Sequence, residues 1–169
     1  MSLLRILGGS LDSEAAVTTK LRYVMKEPKT VMAYGLPMGD VKSITVAWLL
    51  PHIAYGRHGS RLAYHVLLDF GGKLDAEQAG SVAWEVNGFL RERGAQYVQG
   101  THSTKSSGAV MWPHAHILVN TVYMTGKTQG MKLHFDRALL KAYKLYANKV
   151  LAAYGLPVIT VWGGEHAGN

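Results

Sequence analysis

The stretch WPHAHILVN, residues 112–120, decides the fold. Side chains of a β-strand alternate between the two faces of its sheet, so His114, His116, Leu118 and Asn120 are predicted to share one face. The other face carries small and aliphatic side chains that are typical of a core. Two neighbouring imidazoles suit a bound cation, because neutral imidazole is the commonest metal ligand in proteins. The stretch therefore predicts a strand with one core face and one candidate metal-binding face.

A third histidine lies just upstream of this strand. His102 ends the run 96–102, which also reads as a strand, and only the polar loop 103–111 separates the two runs. A loop of this kind favours antiparallel pairing, which would bring His102 beside His114 and His116. Three protein ligands leave coordination positions open, as in catalytic metal sites. The alternative is a pair of half-exposed strand histidines that bind nothing.

Composition limits the classes of protein to which the chain can belong. The 169 residues are 48% hydrophobic and 17% charged, which fits one globular domain over residues 1–169. With no cysteine, a metal would be held by histidine, carboxylate or water, and a reducing cytoplasmic location is compatible. No apolar run approaches the length of a membrane span, so no membrane partner is expected. A net charge of +7 favours a polyanionic partner such as nucleic acid, although the chain could simply be a basic protein.

The remaining periodicity predicts an α+β fold. Strands are predicted at 2–7, 62–70 and 158–162, and helices at 12–27, 75–93 and 135–154. Residues 43–50 read equally as an apolar strand or a buried helix, and residues 56–61 read as a basic glycine-rich loop. We expect an antiparallel central sheet with helices packed mainly on one face, which leaves the other face to carry the site.

Three segments, in this order, carry a family likeness: 20–30 around Tyr23, 63–70, and the three-histidine segment 102–120. They resemble the tyrosine, second and histidine motifs of relaxase domains of the VirD2/MobA-like branch of the HUH endonucleases. The resemblance covers roughly residues 15–160 and implies the two-layer relaxase sandwich. Relaxases usually continue into further domains, so these 169 residues could be the N-terminal part of a longer protein.

The resemblance implies metal-assisted, strand-specific nicking and rejoining of single-stranded DNA at an origin of transfer (oriT), which initiates transfer of a conjugative plasmid or transposon. Tyr23 is the implied nucleophile, forming a 5′-phosphotyrosyl intermediate, and Tyr34 is a reserve candidate. The resemblance also implies accessory relaxosome proteins as partners. Asn120 is expected to position the phosphate or the tyrosine, with an ordinary strand hydrogen bond as the alternative.

The same resemblance implies a divalent metal, Mg²⁺ or Mn²⁺, held by His102, His114 and His116. Because three imidazoles bind Zn²⁺ or Ni²⁺ more tightly, either ion could replace it in the purified protein. One departure concerns Thr104, which stands where the family usually has an aspartate that orients a ligand imidazole. We expect Asp69, on the neighbouring strand, to take over that task.

Basic and aromatic residues are candidates for contacts with the DNA backbone and bases, respectively. The DNA-binding candidates are Lys20, Arg22, Lys26, Lys29, Arg57, Arg61, Lys105 and Trp112. Two other functions stay open. One is a catalytically inactive relaxase-like module that only binds single-stranded DNA, as the missing aspartate suggests. The other is a metal-dependent hydrolase of a small substrate.

Overall fold

The structure is a computed structural model that describes residues 1–26, 30–57, 59–104 and 108–160. Its strands and helices follow the alternating and helical patterns of the sequence. The strands are β1 (Leu3–Leu7), β2 (Thr30–Tyr34), β3 (Ala63–Asp69), β4 (Ala95–Thr104) and β5 (Val110–Tyr123). The helices are α1 (Glu14–Met25), α2 (Val41–Ala54), α3 (Ala76–Val86), α4 (Gly88–Arg91) and α5 (Arg137–Ala153). None of the helices in this part of the chain has the length and apolar character needed to cross a membrane.

Within the described residues, five strands form one antiparallel sheet in the order β1-β3-β5-β4-β2. The histidine strand β5 is its centre, and both flanking strands run antiparallel to it. The register places His102 opposite His114, and Gly100 and Leu67 on either side of His116. The predicted α+β class and the predicted pairing of the two histidine-bearing strands are confirmed.

Helix starts follow local capping chemistry. The N-cap side chains of α1, α2, α3 and α5 each accept a hydrogen bond from a backbone N–H of the first turn. The ambiguous run 43–50 lies inside α2, so the buried-helix alternative is the correct one. The helix predicted over 75–93 is divided at Asn87 into α3 and α4. The predicted strand 158–162 is reduced to one bridge between Ile159 and Ser2, and its last two residues lie outside the described ranges.

Helices lie on both faces of the sheet. On one face α3 and α5 cover the larger core, which includes Val66, Ile117 and Val119. On the histidine face α1 and α2 cover a smaller core that includes Leu118 and Trp48. The expectation of helices mainly on one face is therefore corrected in this detail. The reason is that the site face is also apolar at its middle, where Leu118 needs cover.

Gly100 lets helix α1 approach the sheet. A Cβ at position 100 would overlap the carbonyl oxygen of Val24, in the last turn of α1. The cross-strand partner of Gly100 is His116, so this contact lies directly beside the histidines. Because Gly100 has no side chain, the end of α1, which carries Tyr23, can pack against the histidine face.

Gly100→Ala should displace the end of α1, because its Cβ and the Val24 carbonyl oxygen cannot occupy the same space. We expect a loss of about 1–3 kcal/mol in the free energy of unfolding, measured by urea denaturation. Gly8→Ala is the matched control, because an added Cβ there meets open space. Equal stability of the two variants would contradict a tight contact between α1 and β4.

Candidate metal centre and active site

Three buried histidines converge on the site face. His102, His114 and His116 are 8%, 6% and 5% exposed, and each offers one ring nitrogen that lies within 4.8 Å of those of the other two. Two of them come from β5 and one from β4, so the pairing of these strands creates the cluster. The structure thus brings together the three residues that the sequence proposed as metal ligands.

Backbone carbonyls orient two of the three imidazoles. Nε2 of His102 donates to the Val24 carbonyl oxygen at 2.9 Å, and Nδ1 of His114 donates to the Trp112 carbonyl oxygen at 2.8 Å. A carbonyl only accepts, so each bond leaves the other ring nitrogen to coordinate a cation. The Val24 carbonyl is available because α1 ends at Met25 and the residue four positions later, Pro28, has no N–H to donate.

The third imidazole is oriented by another histidine. Nδ1 of His116 lies 2.8 Å from Nε2 of His65, which is 4% exposed and lies on the adjacent strand β3. Their ring centroids are 4.9 Å apart. The site is therefore a cluster of four imidazoles. The fourth, that of His65, contacts the ligand candidate His116.

Tyr23 meets this cluster from helix α1. Its hydroxyl oxygen lies 3.2 Å from Nε2 of His116, and its ring contacts those of His65 and His102 edge-on. The side chain is 36% exposed, so the phenol borders both the histidines and solvent. The ammonium of Lys20, one turn earlier on α1, lies 5.3 Å from the centre of the Tyr23 ring.

Burial favours the neutral form of His65, His102 and His116. Loss of hydration lowers the pKa of His116 to about 2 and that of His65 to about 4, with neighbouring histidines and Lys20 adding to the effect. Burial also lowers the pKa of His102. Desolvation raises the pKa of Tyr23, so the phenol is protonated at neutral pH and is a poor nucleophile without help. Neutral imidazoles are the form that binds metal ions.

The residues fit a divalent cation. The donor set is three imidazole nitrogens, and the partners of the other ring nitrogens hold the rings in place. Three protein ligands leave open positions for a substrate oxygen. By its chemistry the set suits Zn²⁺ or Ni²⁺ better than Mg²⁺ or Mn²⁺, which are more often held by oxygen ligands.

Asn120 has a structural task. Its Oδ1 accepts hydrogen bonds from His52 Nε2 and the Val122 N–H, and its Nδ2 donates to the Trp48 carbonyl and to Gln96 Oε1. The amide is completely buried and engaged, about 13 Å along the strand from His116. The expected contact with the phosphate or the tyrosine is therefore corrected in favour of the strand hydrogen-bond alternative.

Asp69 likewise does not orient a ligand. It lies opposite His114, but its carboxylate accepts a hydrogen bond from the Gly71 N–H in the turn that ends β3. Each of the three ligand candidates is hydrogen-bonded to a group other than Asp69. The partner that lies on β3 is His65, which contacts His116. The expectation that Asp69 replaces the aspartate missing at Thr104 is therefore corrected.

The DNA-binding candidates divide into two groups. Lys20 and Arg22 lie on α1 beside the site, and Lys26 is the C-cap residue of that helix. Arg57 and Arg61 lie at the opposite end of the sheet, where Arg57 donates to the Gly130 carbonyl and Arg61 to that of Gly9. Lys29 and Lys105 fall outside the described residues. Among the described basic candidates, the first group is the one that lies beside the histidine cluster.

The two remaining aromatic candidates lie on opposite faces. Trp112 is 68% exposed on β5, two residues before His114, and its ring lies over Gly72. Tyr34 stacks on Tyr97 and packs into the larger core on the far face of the sheet. Tyr34 therefore lies away from the histidine cluster and does not fit the reserve role, whereas Trp112 is exposed near His114.

Two residues of the site were missed by sequence reasoning. His65 was placed on the correct face of its strand by alternation, but its role required the register between β3 and β5, which periodicity does not supply. Gly100 was read only as part of a strand. A glycine inside an apolar strand is the signal of a close backbone approach, and it could have been used.

The fold belongs to a known class. The chain has the fold of relaxase domains: it matches solved structures, among them a relaxase domain, over almost its whole length, with 14–16% identity. At this identity the likeness concerns the fold alone. Protein-family models and curated proteins give no match.

Two of these solved structures have the same TM-score against this chain. One, described by the words "Molecular Basis of Vancomycin Resistance Transfer in Staphylococcus aureus", has a TM-score of 0.57 and 16% identity, covering 97% of this chain and 98% of that one. The other is the MobM relaxase domain (MOBV; Mob_Pre) bound to plasmid pMV158 oriT DNA, in an Mn-bound crystal structure. It has a TM-score of 0.57 and 14% identity, covering 99% and 93%. Membership of the VirD2/MobA-like branch stays a prediction.

The buried imidazoles predict a loss of stability in acid. In the unfolded chain each titrates near its ordinary pKa of about 6.5, while in the fold the pKa of His65 is lowered to about 4. The unfolded state then binds more protons, so stability is full above pH ~6.5 and falls as the pH drops toward 4. Each extra proton contributes a slope of up to about 1.4 kcal/mol per pH unit.

Urea unfolding between pH 4.5 and 8, with a chelator present, measures this slope. His65→Gln should reduce it, because one buried imidazole is removed. His134→Gln is the control and should leave it unchanged, since that side chain is exposed. Stability independent of pH in the wild type would contradict burial of the cluster in its neutral form.

Proposed function

We propose that the protein nicks and rejoins single-stranded DNA at a transfer origin, with Tyr23 as nucleophile and a divalent cation at His102, His114 and His116. The observation that carries this proposal is the 3.2 Å approach of the Tyr23 hydroxyl to Nε2 of His116, beside the other two histidines. A phenol held beside three convergent imidazoles can attack a phosphodiester that a cation at the imidazoles would hold. The relaxase fold supports the same reading.

The chemistry is a transesterification. The oxygen of Tyr23 forms a bond to phosphorus as the bond to the 3′ oxygen breaks, so the phenol loses its proton and the departing 3′ oxygen gains one. A cation held by the three imidazoles would bind a non-bridging phosphate oxygen and withdraw its charge. The products are a 5′-phosphotyrosyl link and a free 3′-hydroxyl. Because one phosphodiester replaces another, the reverse reaction can rejoin the strand.

Helix α1 would bind the DNA next to the reacting phosphate. Lys20 is close to the phenol and adds positive charge there, which favours both a phosphate and a developing phenolate. Arg22 is exposed on the same helix, and Lys26 is exposed at its C-cap. Trp112 lies beyond His114 and offers its ring to a neighbouring base. In this proposal the scissile phosphate lies between α1 and β5.

A second candidate function is a relaxase-like module that binds single-stranded DNA without cutting it. Thr104, in place of the family's usual aspartate, is the departure that motivates this alternative. Both candidates predict DNA binding, but only the first predicts a covalent adduct.

Tyr23→Phe should abolish adduct formation, because the nucleophilic oxygen is removed while the ring remains. The assay incubates the protein with single-stranded oriT DNA and Mn²⁺, resolves adducts on a denaturing gel and maps the modified peptide by mass spectrometry. The oligonucleotides should tile the transfer region of the mobile element that encodes the chain.

Tyr34→Phe is the matched control and should form the adduct as the wild type does, because Tyr34 is packed on the other face of the sheet. Binding of the same DNA should survive in both variants. An adduct mapped to another tyrosine would reject Tyr23 as the nucleophile, and binding without any adduct in the wild type would favour the non-catalytic module.

DNA affinity should fall as salt rises, with a logarithmic slope of about −0.7 for each phosphate neutralised on a single strand. Lys26→Ala should make this slope shallower by roughly that amount, because Lys26 is exposed at the end of α1. Lys149→Ala is the control, since Lys149 is exposed on α5 over the opposite face. Fluorescence anisotropy at several salt concentrations measures both slopes. Identical slopes in the two variants would contradict a DNA path along α1.

A further inference from the structure

We propose that His65 is the positioning residue for His116, and that a neutral imidazole here performs the orienting task of the aspartate that Thr104 replaces. The inference rests on the metal site of the proposed function and deepens it. It concerns how tightly the site holds a cation rather than which residues touch the cation.

The geometry makes His65 the side-chain partner of His116. His65 projects from β3 to the site face, where it is paired with Leu118 and Leu7 in the register of the sheet. Its Nε2 lies 2.8 Å from Nδ1 of His116, and the planes of the two rings are tilted by 36°. Both side chains are buried on the site face of the sheet, so packing holds this contact in place.

The tautomer of His116 then follows from hydrogen-bond roles. A cation that takes the lone pair of Nε2 leaves the hydrogen of His116 on Nδ1. That N–H is buried and must donate, and Nε2 of His65 is the acceptor within reach. If the acceptor is removed, a buried N–H is left unpaired at a cost of about 1–3 kcal/mol, or the ring turns and its Nε2 leaves the ligand position.

The other orienting contacts do not compete for this task. His102 and His114 are held by the carbonyls of Val24 and Trp112. The carboxylate of Asp69 is engaged by the Gly71 N–H. Thr104 is exposed at the end of β4. His116 is thus the one ligand candidate, among the described residues, whose orientation depends on another side chain.

A neutral partner has a consequence for metal affinity. A carboxylate bonded to a ligand imidazole raises its basicity and adds a negative charge near the cation. His65 offers an acceptor without that charge, so the cation keeps its full positive charge for the substrate phosphate but is bound less tightly. The ammonium of Lys20, which acts on His65 electrostatically, would lie beside any carboxylate placed there.

Three variants at position 65 separate the acceptor from its charge. Glutamine reaches about as far as histidine and offers a neutral acceptor, glutamate offers a charged acceptor, and leucine offers none. The experiment measures Mn²⁺ binding to the metal-free full chain without DNA, by the electron paramagnetic resonance signal of free Mn²⁺. We expect His65→Leu to bind Mn²⁺ about 10–100-fold more weakly than the wild type. We expect His65→Gln to bind within a few-fold, and His65→Glu more tightly.

His52→Gln is the matched control. His52 is another buried histidine whose Nε2 is hydrogen-bonded to a side chain, but its partner is Asn120 at the far end of the site face. Its Mn²⁺ affinity should equal that of the wild type. Thermal unfolding of each variant confirms that the fold is kept. If His65→Leu does not fold, the comparison of Gln with Glu still decides the question.

Wild-type affinity in His65→Leu, or weaker binding in His65→Glu than in His65→Gln, would overturn the role of His65. The proposed function fails separately. If the wild type binds Mn²⁺ and the variants follow the expected order but no adduct forms with DNA, the nicking proposal fails and the role of His65 stands. If the wild type binds no Mn²⁺, the metal site and the role of His65 fail together.

Discussion

The hydrogen bond from His102 to the Val24 carbonyl is the interaction on which the rest of the site depends. It joins an imidazole of the sheet to the last turn of the helix that carries Tyr23. The bond forms only because Gly100 leaves room for the carbonyl and because α1 ends where its last carbonyls are free. Helix position and imidazole orientation are therefore set by one contact, and the phenol reaches the histidines as a result.

The histidine face serves two different purposes along its length. At one end, His65 and His116 are hydrogen-bonded to each other, and His102 and His114 to two backbone carbonyls. Burial lowers the pKa values of His65 and His116, so their contact is favoured while both rings are neutral. At the other end, Asn120 is saturated by four partners and ties β5 to α2 and β4. Between them Leu118 packs under the helices. The candidate metal ligands and the hydrogen bonds that join β5 to its neighbours thus occupy separate stretches of one strand.

Sequence periodicity was sufficient to predict the central strand, its two faces and the histidine pair, since alternation is a local property. It was insufficient for β2, a short strand of half-buried residues, and for α2, whose apolar residues surround the helix so that no face stands out. The roles of Asp69 and Asn120 were misjudged for another reason. Alternation assigns a side chain to a face, but its hydrogen-bond partners come from other strands and helices whose register the sequence does not reveal.

The absence of the usual aspartate at Thr104 does not by itself argue for a site that has lost its metal. What a ligand imidazole needs is an acceptor for its second N–H, and a carbonyl, a carboxylate or a neutral imidazole can each supply one. Here all three ligand candidates have such a partner: two carbonyls and His65. The site can therefore orient its three ligand candidates without a carboxylate. If His65 has the proposed role, its difference from a carboxylate would lie in the charge around the cation rather than in the positions of the nitrogens, and so it would bear on affinity more than on architecture.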